Sequence, residues 1–174
     1  MDTEKEGSLR LLTSGEMSLA KQVFKNAVSY NKVWIHHDSY LPFGMQNRNV
    51  AMAPNGELYF REWYKPDFST QPADYQHLFI HEMSHVWQRE QGMWVKTRGM
   101  FSWAANYSYK LDFRFLKQYS LEQQAQIIAD SFVLEKFGYN FWKNFKSNGV
   151  VTLDGDVSEA AIRRQYAHTL KWFP

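Results

Sequence analysis

A chain of 174 residues can bury most of its surface around one core, and with no cysteine it must do so without disulfides. Twenty Lys and Arg against eighteen Asp and Glu leave a formal charge of +2, and the basic residues are scattered, so nucleic-acid binding gains no support. Thiol catalysis is excluded, and no stretch approaches the about 20 apolar residues of a membrane-spanning helix. A single domain over residues 1–174 is expected, with residues 1–10 a flexible N-terminus. Met1 to Arg10 are polar and charged, unlike a secretory signal. The protein is therefore expected to be cytoplasmic at synthesis, and exported only by a system that reads no leader.

In chain order, Thr13 and Glu16 form a capping box that opens a helix reaching about residue 28. Residues 33–36 read as a strand. Residues 49–53 and 57–61 flank Pro54-Asn55-Gly56, a hairpin signal. Residues 73–91 read as an amphipathic helix, with Thr70 as N-cap, Pro72 in the first turn and Gly92 just past the end. Residues 93–119 form an aromatic-rich connection. Residues 121–137 read as a second strong helix, framed by a Ser120/Gln123 capping box and by Gly138. A last helix spans about 158–170. Helices segregated from a small antiparallel sheet make the fold class α+β.

The helix over 73–91 carries His81-Glu82-Met83-Ser84-His85. Histidines four apart stand one turn above each other, about 6 Å along the axis, so both imidazoles can reach one metal ion. Glu82 projects beside them, toward the water that an open-sided Zn²⁺ holds. Phe79, Met83, Val86 and Trp87 gather on the core side, whereas His81, Glu82, His85 and Arg89 share the other face. Core histidines are usually single and lie in an apolar stripe. One Zn²⁺ per chain is the expectation.

Two histidines need a further ligand from elsewhere. The metzincin pattern needs glycine and histidine where Gln88 and Gln91 stand, and a deformylase-type site needs a cysteine. Glu122 is the best-placed acid, in the first turn of the second helix and off its apolar stripe, where the helix dipole also favours a carboxylate. Asp130, Asp112 and Glu135 are the alternatives. Among the other histidines, His77, one turn before His81, reads as a surface residue of the first turn, or else as a group behind the ligands or a substrate contact. His36 and His37 adjoin on a strand, so one points in and one out, and His168 reads as structural. Trp87, Trp94, Trp103, Tyr107 and Tyr109 lie near the expected cleft, where core packing is the ordinary role of such rings.

A His-Glu-x-x-His pair completed by a glutamate from a downstream helix resembles the gluzincins, the thermolysin-like zinc peptidases. More narrowly, residues 11–24, 49–60, 77–88 and 119–130 resemble the small stand-alone zincin-like proteins called vgr-related or Rhs-related, which are associated with type VI secretion in Gram-negative bacteria. The resemblance implies a zincin-like fold, an N-terminal helix and small sheet packed on the metal and glutamate helices. It also implies zinc held by His81, His85 and Glu122, with Glu82 as general base, Tyr107 or Tyr109 as oxyanion donor, and Gln126, Asp130 and His77 behind the ligands. Gluzincins usually carry an aspartate where Gln126 stands. An amide oxygen can also accept an imidazole N–H, and Asp130 follows one turn on. The implied activity is hydrolysis of peptide or amide bonds. The implied partners are a peptide, a protein or a peptidoglycan stem as substrate, with a secretion-spike or immunity protein as a further one. The rival reading is a non-enzymatic accessory of a secretion system, its metal merely structural.

Overall fold

The computed structural model describes residues 5–93, 106–155 and 158–174. Within them the fold is α+β, five α-helices and one three-stranded sheet. The first strand, β1 (Ser8–Leu11), lies antiparallel to β2 (Trp34–His37), and β2 lies parallel to β3 (Leu58–Phe60). The sheet is thus mixed rather than antiparallel, and the expected hairpin is reduced to one bridge, Met52 to Tyr59. Residues 8–10, expected to be flexible, are held in β1. Arg10 fixes them there, because its guanidinium makes two bonds, 2.8 and 2.9 Å, to the fully buried Glu16 carboxylate.

Glu16 belongs to helix α1 (Ser14–Phe24), which opens on the expected capping box. Its carboxylate accepts from the Thr13 N–H and also from the Phe68 N–H, both at 2.9 Å. One buried carboxylate therefore ties the first strand, the first helix and the 3-10 turn at Phe68–Thr70 together. The helix ends at Phe24 rather than near residue 28, with Lys25 at φ +51 as its C-cap.

Helix α2 (Ala73–Glu90) starts behind Pro72 at the N-cap, with no side-chain cap. Thr70 lies earlier, in the 3-10 turn, where its hydroxyl donates to the Asp67 carbonyl. The apolar side of α2, with Phe79, Ile80, Met83 and Trp87, joins the main core. Its polar side is buried too, because α3 (Leu121–Phe137) covers it in the most extensive helix contact among the described residues. Helix α3 runs from its Ser120 cap to Gly138, as the sequence predicts. Gly138 then takes φ +90, a backbone state open to glycine, and α4 (Tyr139–Ser147) begins at once. This helix was not expected, and Trp142 anchors it fully buried. The chain closes with α5 (Glu159–Thr169).

Candidate metal centre

His81 and His85 project from α2 toward the first turn of α3. The Glu122 Oε2 atom lies 3.3 Å from His81 Nε2 and 3.3 Å from His85 Nε2. Ligand atoms of the three residues all fall within 4.8 Å of one another, close enough to share one ion. Among the described residues this is the one such group of three or more. Asp112 and Glu135 are elsewhere, exposed and paired with Arg114 and Arg163.

Two buried glutamines decide which ring nitrogen faces the cluster. His81 Nδ1–H donates to Gln126 Oε1 at 3.1 Å, and His85 Nδ1–H donates to Gln88 Oε1 at 2.8 Å. Each amide can point only one way. The Gln126 NH₂ donates to the Asp130 carboxylate (3.0 Å) and the Val150 carbonyl (2.7 Å), groups that only accept. The Gln88 NH₂ donates to the Leu121 carbonyl (2.8 Å) and to Gln124 Oε1 (3.2 Å). Gln124 is oriented in turn by its own NH₂ bond to the Tyr119 carbonyl, 2.9 Å. In its neutral form each histidine therefore turns the Nε2 lone pair toward Glu122, as a metal requires of imidazole. Gln88 and Gln124 were not picked out from the sequence. Gln88 had a signal, since three residues after His85 it lies one turn away on the same face.

The charges couple the three groups, and the proton that Glu122 favours on His85 sits at Nε2, where a metal would compete for it. Burial alone would lower the His85 imidazole, but the facing Glu122 carboxylate outweighs it, and with Glu82 and Gln88 lifts it to about 9. Burial likewise pushes Glu122 up, and the two histidines outweigh it, holding the carboxyl well below its usual range. Glu82 shares this region, and its Oε2 is buried with no hydrogen-bond partner. Burial raises the Glu82 carboxyl, against the histidines and with some help from Glu122.

His81 and Glu82 open onto a cleft of about 470 Å³ whose rim includes Asn49, Ala51, Tyr107 and Val150. The Tyr107 ring stands 5.7 Å from that of His81. Burial, then Glu122 and Glu82, keep its phenol protonated far above neutrality. Tyr109 is different. Its hydroxyl donates to Asp130 Oδ2 (2.7 Å) and lies 2.6 Å from the Tyr166 hydroxyl, so it is buried behind α3 and not available to the cleft as an oxyanion donor. Asp130 also takes His77 Nε2–H at 2.7 Å and the Thr152 N–H at 3.2 Å. His77 is thereby a buried, paired residue of the cleft wall, not a surface histidine. Trp87 packs edge-on against Phe173 in the core. Trp94 and Trp103 lie outside the described residues. The other strand histidines stack on tyrosines, His36 on Tyr59 and His37 on Tyr64, and His168 bonds the Phe113 carbonyl.

Fold and site together define an α+β domain in which a His-Glu-x-x-His helix and the first turn of a second helix bring two imidazoles and a carboxylate together beside a cleft that His81 and Glu82 line. No protein-family model matches the chain. The effector domain of Pseudomonas aeruginosa VgrG2b is 33% identical, with a TM-score of 0.65 over 88% of this chain and 89% of that one. The type VI secretion system spike protein VgrG2b of Pseudomonas aeruginosa is 36% identical over 95% of this chain, which spans 15% of the spike's length. The chain belongs to the family of the VgrG2b effector domain.

Proposed function

We propose that this protein is a zinc-dependent hydrolase of peptide or amide bonds, with a zincin-like fold, acting as a type VI secretion effector. The reading is carried by one observation. Both histidine Nε2 atoms converge at 3.3 Å on one Glu122 oxygen, beside a buried Glu82 oxygen without a partner. Two neutral imidazoles and a carboxylate suit zinc, one per chain, with His81, His85 and Glu122 as the residues that would hold it. When bound, zinc supplies Lewis acidity, which brings the ionisation of water from about 16 toward about 7.

The remaining chemistry belongs to the chain's own side chains. Glu82 accepts a proton from the attacking water as the oxygen–carbon bond forms at the carbonyl. It then delivers that proton to the departing nitrogen as the carbon–nitrogen bond breaks. Its raised basicity suits the first half of that cycle. Tyr107, still protonated, donates to the carbonyl oxygen as charge develops there. Gln126 and Gln88 hold the imidazoles in the tautomer that leaves Nε2 free.

Membership of a family that includes a spike protein's effector domain supports the secretion setting. Export by that system, a spike or immunity protein as partner, and a peptide, protein or peptidoglycan-stem substrate are parts of the same proposal. A non-enzymatic accessory has no use for a buried carboxylate at Glu82 with one oxygen unpartnered among the described residues, which costs desolvation energy. Zinc-reloaded protein should carry about one ion per chain, lost in His81→Ala. Glu82→Gln should keep the ion while hydrolysis falls by about 10²-fold or more. A reloaded wild type without metal would sink the reading, and equal hydrolysis by Glu82→Gln would remove Glu82 from the chemistry.

A further inference from the structure

We infer that His77 is a substrate-contacting residue, its Nδ1 accepting a hydrogen bond from a backbone N–H of an extended peptide, two residues from the bond to be cleaved. The inference rests on the peptidase reading above. Helix α2 carries histidines at 77, 81 and 85, about one per turn. His81 and His85 commit Nδ1 to a glutamine oxygen and turn Nε2 to Glu122. His77 is wired the other way round. Its Nε2–H donates to Asp130 at 2.7 Å, while among the described residues Nδ1 bonds nothing and is not sealed from solvent, as the Nδ1 of His37 is. An ionised carboxylate only accepts, so Nε2 carries the hydrogen, and in the neutral ring the lone pair sits on Nδ1.

Asp130 holds the ring rigidly. It is fully buried and accepts from His77, Gln126, Tyr109 and the Thr152 N–H. His77 lines the same cleft as His81, Glu82 and Tyr107. Four residues of helix rise about 6 Å. Two residues of extended chain advance about 6.6 Å, and alternate residues present the same side. A peptide lying along α2 with its reacting carbonyl beside His81 would therefore bring a same-side backbone group to His77. Glu82 is the one Lys, Arg, Asp or Glu that lines the cleft among the described residues, and the chemistry uses it, which leaves the peptide backbone as the feature for His77 to read.

The test exploits the two ring positions. An asparagine amide can stand where Nδ1 stood, and a glutamine amide where Nε2 stood. Zinc-loaded wild type, His77→Asn and His77→Gln are titrated calorimetrically with acetohydroxamate and with tri-alanine hydroxamates extended on either side of the chelating group. One set carries an N-methyl at the amide two residues out. Wild type and His77→Asn should bind the N–H form about three- to tenfold better than the N-methyl form, the value of one hydrogen bond. His77→Gln should not discriminate, and acetohydroxamate should bind all three alike. Discrimination kept by His77→Gln and lost by His77→Asn would mean that His77 only satisfies Asp130, and overturns the inference. So does a wild type that ignores the N-methyl group on both sides while binding acetohydroxamate. A wild type that binds no acetohydroxamate overturns the metal-centre reading, and this inference with it.

Discussion

Glu122→Gln keeps the shape of the side chain and removes its charge, and the structure sets what that should do to the metal-free protein. His85 rises from an ordinary 6.5 to about 9 because the Glu122 carboxylate outweighs burial. A group with a raised folded pKa contributes stability that is complete below its unfolded value and disappears as pH climbs through the folded one. For His85 that window runs from about 6.5 to about 9, and the contribution amounts to about 3 kcal/mol. Glu122 itself is depressed, so its contribution is present above its ordinary carboxyl value and disappears as pH falls below it. Urea unfolding in excess chelator should therefore show wild type losing about 3 kcal/mol between pH 6.5 and pH 9.5, relative to Glu122→Gln. In the variant burial lowers His85 with only Glu82 and Gln88 opposing it, so most of the loss should vanish. Zinc reverses the sign. It competes with the His85 proton, so the stabilisation it gives should grow with pH over the same interval. Parallel pH profiles for the two metal-free proteins would refute the coupling of His85 to Glu122.

Further outcomes follow from the same contacts. Gln88→Ala removes the acceptor of His85 Nδ1–H and the donor to the Leu121 carbonyl. Zinc affinity, read by competition with a chromogenic chelator, should fall about 10- to 100-fold. Tyr107→Phe should lower kcat about 10²-fold with zinc content unchanged. Tyr109→Phe should do the opposite, costing about 1–3 kcal/mol in urea unfolding by leaving Asp130 and Tyr166 short of a partner. Kinetics of both variants alongside unfolding curves would show whether the two tyrosines separate in this way.

What was legible in the sequence is what short-range physics writes there. Thr13 with Glu16 and Ser120 with Gln123 are capping boxes three residues apart, and both open helices where expected. The 81–85 spacing likewise depends only on helix pitch. What was hidden depends on partners far along the chain. Residues 8–11 become a strand because His37 and its neighbours pair with them and because Arg10 finds Glu16. Parallel pairing of β2 with β3 leaves no local trace, whereas the Pro54-Asn55-Gly56 turn suggested a hairpin. Helix α4 has no side-chain cap to announce it, since Gly138 both ends α3 and begins α4. The role of Asp130 was the least visible, because its four donors come from residues 77, 109, 126 and 152.

Asp130 also bears on why an amide stands at 126, where the gluzincin resemblance implies an aspartate. Gln126 has two duties, to accept from His81 and to donate to Asp130 and Val150. A carboxylate can perform only the first. Gln126→Glu would set a second buried carboxylate about 3 Å from Asp130, facing a carbonyl as well, with no donor between them. Like charges so close cannot both stay ionised, so one must take a proton or the contact must open. The expected result is a loss of about 3 kcal/mol or more at pH 7.5 in urea unfolding, larger than for Gln126→Met, which removes the hydrogen bonds without adding charge. The loss should shrink toward pH 5, as a proton on the new carboxyl restores one donor between the two groups. Tolerance of Gln126→Glu at neutral pH, or a loss no greater than that of Gln126→Met, would mean that Asp130 does not exclude an acid at this position. With the amide in place, the metal-facing imidazole, the buried aspartate and the cleft-wall histidine form one hydrogen-bonded unit, in which His77 and His81 are positioned by the same carboxylate.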